Sequence, residues 1–318
     1  MDTLFIMLKN GIIFVLLAIP GYLLVKGKIL KPQESGGLSK LLTNIGMPAL
    51  VLSSTLTLNF TPELTLSMVV IAVICIAFTV FSFVSTAWLC RGEKNQKTAA
   101  MMRFAITFVN SGFIGIPLAT AVFGGDSPVM AYLIVSNIVM NVIMFTLGVY
   151  LISGDKNAIS VKKAVLTPVV MAFLVGIVLN LLGVPKRIPE LQTYATHFKG
   201  IVTPLSMVVL GMKLADVPMK KLFSSGRMYY VSFLRLVVYT VVGTALVYGL
   251  QYVPFLGLGS EAVLGFFVGL AMPTAGLASV FSDQFGGDTE NSVILTLGTT
   301  ILSIVTIPVL YWLLRMVV

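Results

Sequence analysis

Charge is scarce in this sequence. Asp and Glu number 12 and Lys and Arg 21 among 318 residues, so charged side chains make up only 10% of the chain. A soluble domain carries roughly 25%, because its surface must be wetted. With 57% hydrophobic residues and a mean hydropathy of +1.00, the chain has more apolar surface than a water-soluble fold can hide. Lipid is therefore the expected solvent. Cysteine is nearly missing: Cys75 and Cys90 share one apolar run. As one helix they would stand about 22 Å apart at ~1.5 Å per residue, which excludes a disulfide between them. No cluster with metal-ligand spacing, no nucleophile–base pair and no phosphate loop stands out, so no enzyme, metal or cofactor is expected. Polar stretches long enough to fold by themselves are also lacking, which excludes a soluble output domain.

What is present is a series of apolar runs, each near the ~20 residues that a membrane-spanning helix needs. They predict an all-α polytopic protein with ten spans, at 4–25, 37–56, 65–89, 100–122, 127–152, 164–183, 198–214, 229–252, 262–282 and 290–316. The seventh is the weakest, being short and carrying Pro204. The first is long, lacks a small-residue cleavage pattern and precedes nine others, so it reads as a retained span.

The net charge of +9 marks topology, not nucleic-acid binding, because the basic residues fall in short clusters between spans. With the N-terminus outside, the cytoplasmic segments hold Lys26, Lys28, Lys31, Lys40, Arg91, Lys94, Lys97, Arg103, Lys156, Lys162, Lys163, Lys213, Lys220, Lys221 and Arg227. Only Lys9, Lys186, Arg187, Lys199 and Arg315 fall outside, and Arg235 lies within a span. Both termini are expected outside.

A repeat organises these spans. Phe123-Gly124-Gly125-Asp126 follows the fourth span and Phe285-Gly286-Gly287-Asp288 the ninth. Met47-Pro48 and Thr203-Pro204 occupy similar places in the second and seventh. The chain reads as a first five-helix repeat (1–155), a cytoplasmic linker (156–163) and a second repeat (164–318). An odd number of spans inverts the second repeat. Inverted repeats with helices broken at matched positions mark secondary transporters.

The breaks carry the chemistry. Span four contains Asn110-Ser111-Gly112-Phe113-Ile114-Gly115-Ile116-Pro117, and span nine Ala271-Met272-Pro273-Thr274-Ala275-Gly276. Proline removes a backbone donor and glycine permits unwound backbone. Within hydrocarbon such breaks survive only when buried in protein or lining an aqueous cavity. Each break presents a half-helix N-terminus with free amides and a partial positive charge, which suits an anion. Asn110, Ser111, Gly112, Pro273, Thr274 and Gly276 are therefore the expected substrate-binding residues, with helix breaks at Pro48, Pro117 and Pro204. Asn137 and Asn141, one turn apart in span five, are further candidates for the pathway or for bonds between helices. Arg235 lies about 10 Å into span eight by helical rise. It is a candidate to neutralise a carboxylate, or to snorkel to the interface. Glu63, Glu261, Asp283, Asp288 and Glu290 fall near span ends, so proton, sodium or no coupling ion all stay open.

The runs Asn110–Pro117 and Met272–Gly276, with Asn44-Ile45-Gly46-Met47-Pro48-Ala49-Leu50 and Leu210-Gly211-Met212-Lys213-Leu214, resemble the auxin efflux carrier family over essentially the whole chain. The resemblance implies a fold related to bile-acid sodium symporters. It also implies a scaffold of spans 1, 2, 6 and 7 that forms a homodimer, and a mobile transport unit of spans 3–5 and 8–10 in which the broken helices cross. Plant members carry Asn-Pro-Asn at the first break and often a long loop between the halves. Here Ser111 and Gly112 follow Asn110, and the linker Gly154–Lys162 is short. This points to the prokaryotic malate/malonate permease-like branch and to a bacterial inner (plasma) membrane. The expected function is elevator-like secondary transport of a small organic anion, a mono- or dicarboxylate. A carrier of an auxin-like or other hydrophobic acid is the alternative, and an anion channel the rival from another class.

Overall fold

A computed structural model describes residue 13 and residues 16–125, 127–159, 166–215 and 219–318. The start of the first expected span, Lys9, Asp126, Lys162 and Lys163 lie outside the described residues. The regular structure among the described residues is helical, with one isolated antiparallel bridge and no strand.

The helices of seven or more residues, in chain order, are α1 (Leu16–Lys26), α2 (Ser35–Leu41), α3 (Met47–Thr57), α4 (Pro62–Leu89), α5 (Gln96–Thr107), α6 (Ser111–Phe123), α7 (Pro128–Ser153), α8 (Pro168–Leu181), α9 (Pro189–Ala215), α10 (Gly226–Leu250), α11 (Ser260–Ala271), α12 (Ala278–Phe285) and α13 (Thr289–Leu314). Five of these, α4, α7, α9, α10 and α13, are each long and apolar enough to cross a bilayer alone. Large apolar side chains such as Val69, Val84, Trp88, Leu181, Leu246 and Val305 face outward, as a protein dissolved in lipid requires.

Helix starts follow local chemistry. Thr61, Ser127 and Thr167 each precede a proline at the first helical position, and each side chain accepts a first-turn amide. Asp288 does the same for α13 through the Asn291 amide. Both Phe-Gly-Gly-Asp tetrads terminate a half-helix. Gly124 ends α6 at φ 84° and Gly286 ends α12 at φ 74°, conformations that side chains with a Cβ seldom adopt.

Packing separates the helices into two groups. In the first, α3 packs on α8 and on the start of α9, and α2 packs on the later part of α9. Asn180 Nδ2 of α8 donates to the carbonyls of Thr55, Leu56 and Leu58, which closes the end of α3, and Gln192 Nε2 of α9 donates to the Ser53 carbonyl. Helix α1 meets α9 through glycines: a Cβ on Gly21 would overlap the Val208 carbonyl, and one on Gly211 the Ala18 carbonyl. In the second group, α7 packs between α4 and α11, α10 packs on α11 and α13, and α13 packs on α5. The pair Glu93–Arg227 (2.6 Å) and the bond from the Thr98 hydroxyl to Asp288 (2.6 Å) tie this group together at one end.

Three expectations about helix breaks are corrected. Pro48 does not interrupt the second span, because a π-helical turn over Leu42–Gly46 leads straight into α3 and absorbs its missing donor. Pro117 sits the same way behind the π turn Ser111–Gly115, so the fourth span breaks earlier, at Phe108–Asn110. Pro204 lies in the first turn after a step at Gly200–Ile201, where its lost amide would have had no partner. The helix expected as a short seventh span is accordingly longer: α9 begins at Pro189, nine residues before the expected 198.

Candidate functional site

At the two breaks the backbone is extended, and the extended pieces pair with each other. The Asn110 amide donates to the Pro273 carbonyl at 2.8 Å, and the Ala275 amide to the Phe108 carbonyl at 2.9 Å. These bonds flank the antiparallel bridge between Val109 and Thr274. The remaining groups are taken by side chains. The Thr274 hydroxyl donates to the Ala105 carbonyl at 2.9 Å, and the Thr274 amide donates to Thr299 Oγ1 at 3.2 Å. Buried backbone must be paired somewhere, and here it is paired across the breaks.

Beyond the pairing, each chain re-enters a helix. Asn110 caps α6 by accepting the Phe113 amide on Oδ1 (3.2 Å). The amides of Ser111 and Gly112 fall in the first turn, where the helix itself offers them no carbonyl acceptor. Gly276 and Leu277 stand in the same relation to α12. The two helix starts open on one cavity of about 580 Å³, lined by Asn110, Gly112, Asn137, Asn141 and Gly276 together with Val109, Ala275 and Leu277. Its other walls are Thr43, Met47, Phe113, Met144, Phe145 and the stretch 166–169. No charged side chain lines it among the described residues.

Two glycines let asparagines approach. A Cβ on Gly112 would stand 3.3 Å from Asn137 Nδ2, and one on Gly276 3.4 Å from Asn110 Nδ2. The asparagines on α7 form a relay: Asn141 Nδ2 donates to Asn137 Oδ1 (3.0 Å) and Asn137 Nδ2 donates to Ser111 Oγ (2.8 Å). Asn137 is thereby held against the start of α6 while Asn141 faces the cavity.

Five of the nine residues expected to bind substrate thus line one cavity: Asn110, Gly112, Asn137, Asn141 and Gly276. Ser111 is buried and serves the relay. Pro273 and Thr274 do not line the cavity, and their polar groups hold the breaks together. Arg235 is also absent from it: completely buried, it donates to the carbonyls of Ile106 (2.9 Å) and Leu270. Neither expectation for it, contact with the cavity or snorkelling to an interface, describes this position. Sequence reasoning missed Thr43, Met47, Met144, Phe145 and Thr167. Met144 and Phe145 lie three and four residues after Asn141, on its helical face, and that spacing was the available signal.

Lipid-facing apolar helices, with two interrupted helices meeting at a cavity, define an integral membrane protein built around a central site. The chain belongs to the membrane transport protein family, the auxin efflux carrier family, whose sequence model matches residues 6–311. It is also similar, at 28% identity over 296 residues, to a protein described as an uncharacterized transporter from Methanothermobacter thermautotrophicus. That match covers 92% of this chain and 93% of the relative.

Proposed function

We propose that this transporter is a secondary carrier of small organic acids, and that it seats the carboxylate on the amides at the starts of α6 and α12. The observation that carries this reading is the cavity shared by the two starts. Each helix start brings free N–H groups and a partial positive charge of roughly half an elementary unit. Asn110 and Asn141 add side-chain amides. A volume near 580 Å³ lies within the usual range for small-molecule sites, ~300–1,000 Å³.

The rest of the lining favours one carboxylate on an apolar body. Met47, Phe113, Met144 and Phe145 offer nothing to a second charge, and burying an unpaired carboxylate is costly. A dicarboxylate such as malate or malonate, expected from the prokaryotic branch, would need a cation there, and Arg235 is committed elsewhere.

Movement is read from the packing. The cavity lies where Thr43, Met47 and residues 166–169 of the first helix group face the second group. An elevator-like displacement of the second group along the first would carry the seat across the membrane. The ten-span inverted repeat agrees with the paired breaks and with the two glycine-terminated tetrads that follow them. With both termini outside, the cavity opens on the cytoplasmic side, near the ends of α7 and the start of α8.

The test is a panel of mono- and dicarboxylates in thermal-shift and proteoliposome counterflow assays, with and without sodium. Saturable counterflow of an apolar monocarboxylate is expected, with malonate weaker. Flux that does not saturate and shows no counterflow would indicate a channel instead.

A further inference from the structure

Arg235 brings a charge into the centre of the protein, and no acidic side chain among the described residues pairs with it. Its hydrogen bonds go to two different helices, from Nη1 to the Ile106 carbonyl of α5 (2.9 Å) and from Nη2 to the Leu270 carbonyl of α11. These two carbonyls are counterparts. In an unbroken helix Ile106 would accept from the amide of Asn110, and Leu270 from that of Thr274. Both amides are committed elsewhere, to the Pro273 carbonyl and to Thr299 Oγ1. One guanidinium therefore takes one orphaned acceptor from each break, and the Thr240 hydroxyl also reaches the Leu270 carbonyl, at 3.4 Å.

The electrostatics agree with this geometry. The C-terminal ends of α5 and α11 each carry roughly half a negative elementary charge, so together they match a single cation. A planar fork with several donors suits two acceptors on separate chains, as a lysine ammonium on its flexible stem does not. Helix α10 is locally π-helical over Phe233–Tyr239, and the Thr240 hydroxyl donates to the Arg235 carbonyl at 3.2 Å. The widened turn is thus the part of α10 that faces both breaks.

We propose that Arg235 is a positioning residue for the anion seat. It pins the carbonyl ends of α5 and α11 together so that the amide ends of α6 and α12 address one point in the cavity. Its charge also cancels two helix ends that would otherwise repel an anion from behind. The second statement rests on the carboxylate reading of the cavity; the first does not.

Hydrogen exchange on the purified full chain, without ligand, tests the clamp. In Arg235→Lys, segments 106–112 and 270–276 should both exchange at least ~10-fold faster than in the parent, while α3 and α8 stay unchanged. Acceleration at one break alone, uniform acceleration, or none overturns the clamp. Arg235→Gln, which keeps a single amide donor, supplies the same readout if the lysine variant does not accumulate. Calorimetry with phenylacetate and its neutral amide, phenylacetamide, tests the charge. Arg235→Gln should weaken the acid about tenfold or more and leave the amide within about twofold, with Arg235→Lys restoring part of the acid's affinity. Equal losses for acid and amide, or equal acid affinity in both variants, overturns the electrostatic role. If the parent binds no carboxylate at all, the carboxylate reading of the cavity and the electrostatic role both fail, and the exchange experiment still decides the clamp.

Discussion

The amide of Asn110 and the carbonyl of Pro273 are joined at 2.8 Å although 163 positions (110 to 273) separate them in the chain. The two broken helices are therefore one hydrogen-bonded object, and a change at either end is felt at both. Asn110 also caps α6 with its side chain. Asn110→Ala removes that cap and a cavity-facing amide but leaves the backbone bond. A lost hydrogen bond to a charged group costs about 1.5–3 kcal/mol. Carboxylate affinity should fall roughly ten- to a hundredfold with folding intact, as read by calorimetry. Unchanged affinity in a well-folded variant would move the seat elsewhere.

Asn137 gives a sharper contrast. It donates to Ser111 and accepts from Asn141, so Asn137→Asp keeps the shape and the acceptor while replacing the donor with a negative charge beside the helix start. Asn137→Ala loses both bonds but adds no charge. Affinity for an organic anion should fall further in the aspartate variant at neutral pH, by about tenfold relative to alanine, as expected for an added like charge. If the alanine variant is the weaker binder, the α7 relay supports structure and does not shape the field in the cavity.

Residues of this kind show how far the sequence could be read. The breaks were legible because Pro273, Gly112 and Gly276 have few uses inside a span, and the positive-φ glycines of both tetrads announced the helix ends. The partners of Arg235 were not legible, because they are backbone carbonyls whose availability depends on where two other helices stop. Pro48 and Pro117 misled for a related reason: a π turn ahead of each supplies the slack that proline needs, and no residue pattern advertises such a turn. Thr274 looked like a ligand group and became a fastener once its hydroxyl met Ala105.

The crossing of α1 and α9 should tolerate no side chain. Gly211→Ala places a methyl group on the Ala18 carbonyl, which is backbone and cannot rotate away. Overpacking costs typically ~1–3 kcal/mol where side chains yield, and this site should lie at or above the upper end. Thermal unfolding in detergent should show a large drop in Tm or loss of the folded peak. Gly36→Ala and Gly37→Ala, where an added Cβ meets nothing within 4 Å, serve as neutral controls.

A pH effect is expected where Glu93 meets Arg227. The guanidinium's hydrogen bond, helped by the Asn95 amide, holds the Glu93 carboxyl below its ordinary value of 4.5. The unfolded chain takes up this proton at a higher pH than the folded protein does. The pair's contribution is therefore complete above about pH 5 and is lost as pH falls through the lowered value. Because Arg227 is half exposed, the contribution should not exceed about 1 kcal/mol. Arg227→Gln should lower Tm slightly at pH 7, and by progressively less as pH falls below the ordinary carboxyl value; a drop that does not change with pH would exclude the ion pair as the cause.

Orientation follows from the basic residues. Cysteine labels at Lys94 and Lys156 should react only from the cytoplasmic side, and a label at Ser127 only from outside. Labelling of positions 94 and 127 from the same side would contradict the ten-span arrangement.

The glycine faces of α1 and α9 also set a schedule for biogenesis. Gly21 and Gly211 are 190 positions apart (21 to 211). At about 5–20 residues per second, a ribosome needs roughly 10–40 s to deliver the second after the first. During that interval α1 sits in the bilayer with its most closely fitted face against lipid or against the insertion machinery. A helix made some 190 residues before its neighbour must thus wait for it. Truncated chains that end before α9 should leave α1 exposed to quality-control proteases, however well the helices between them have packed.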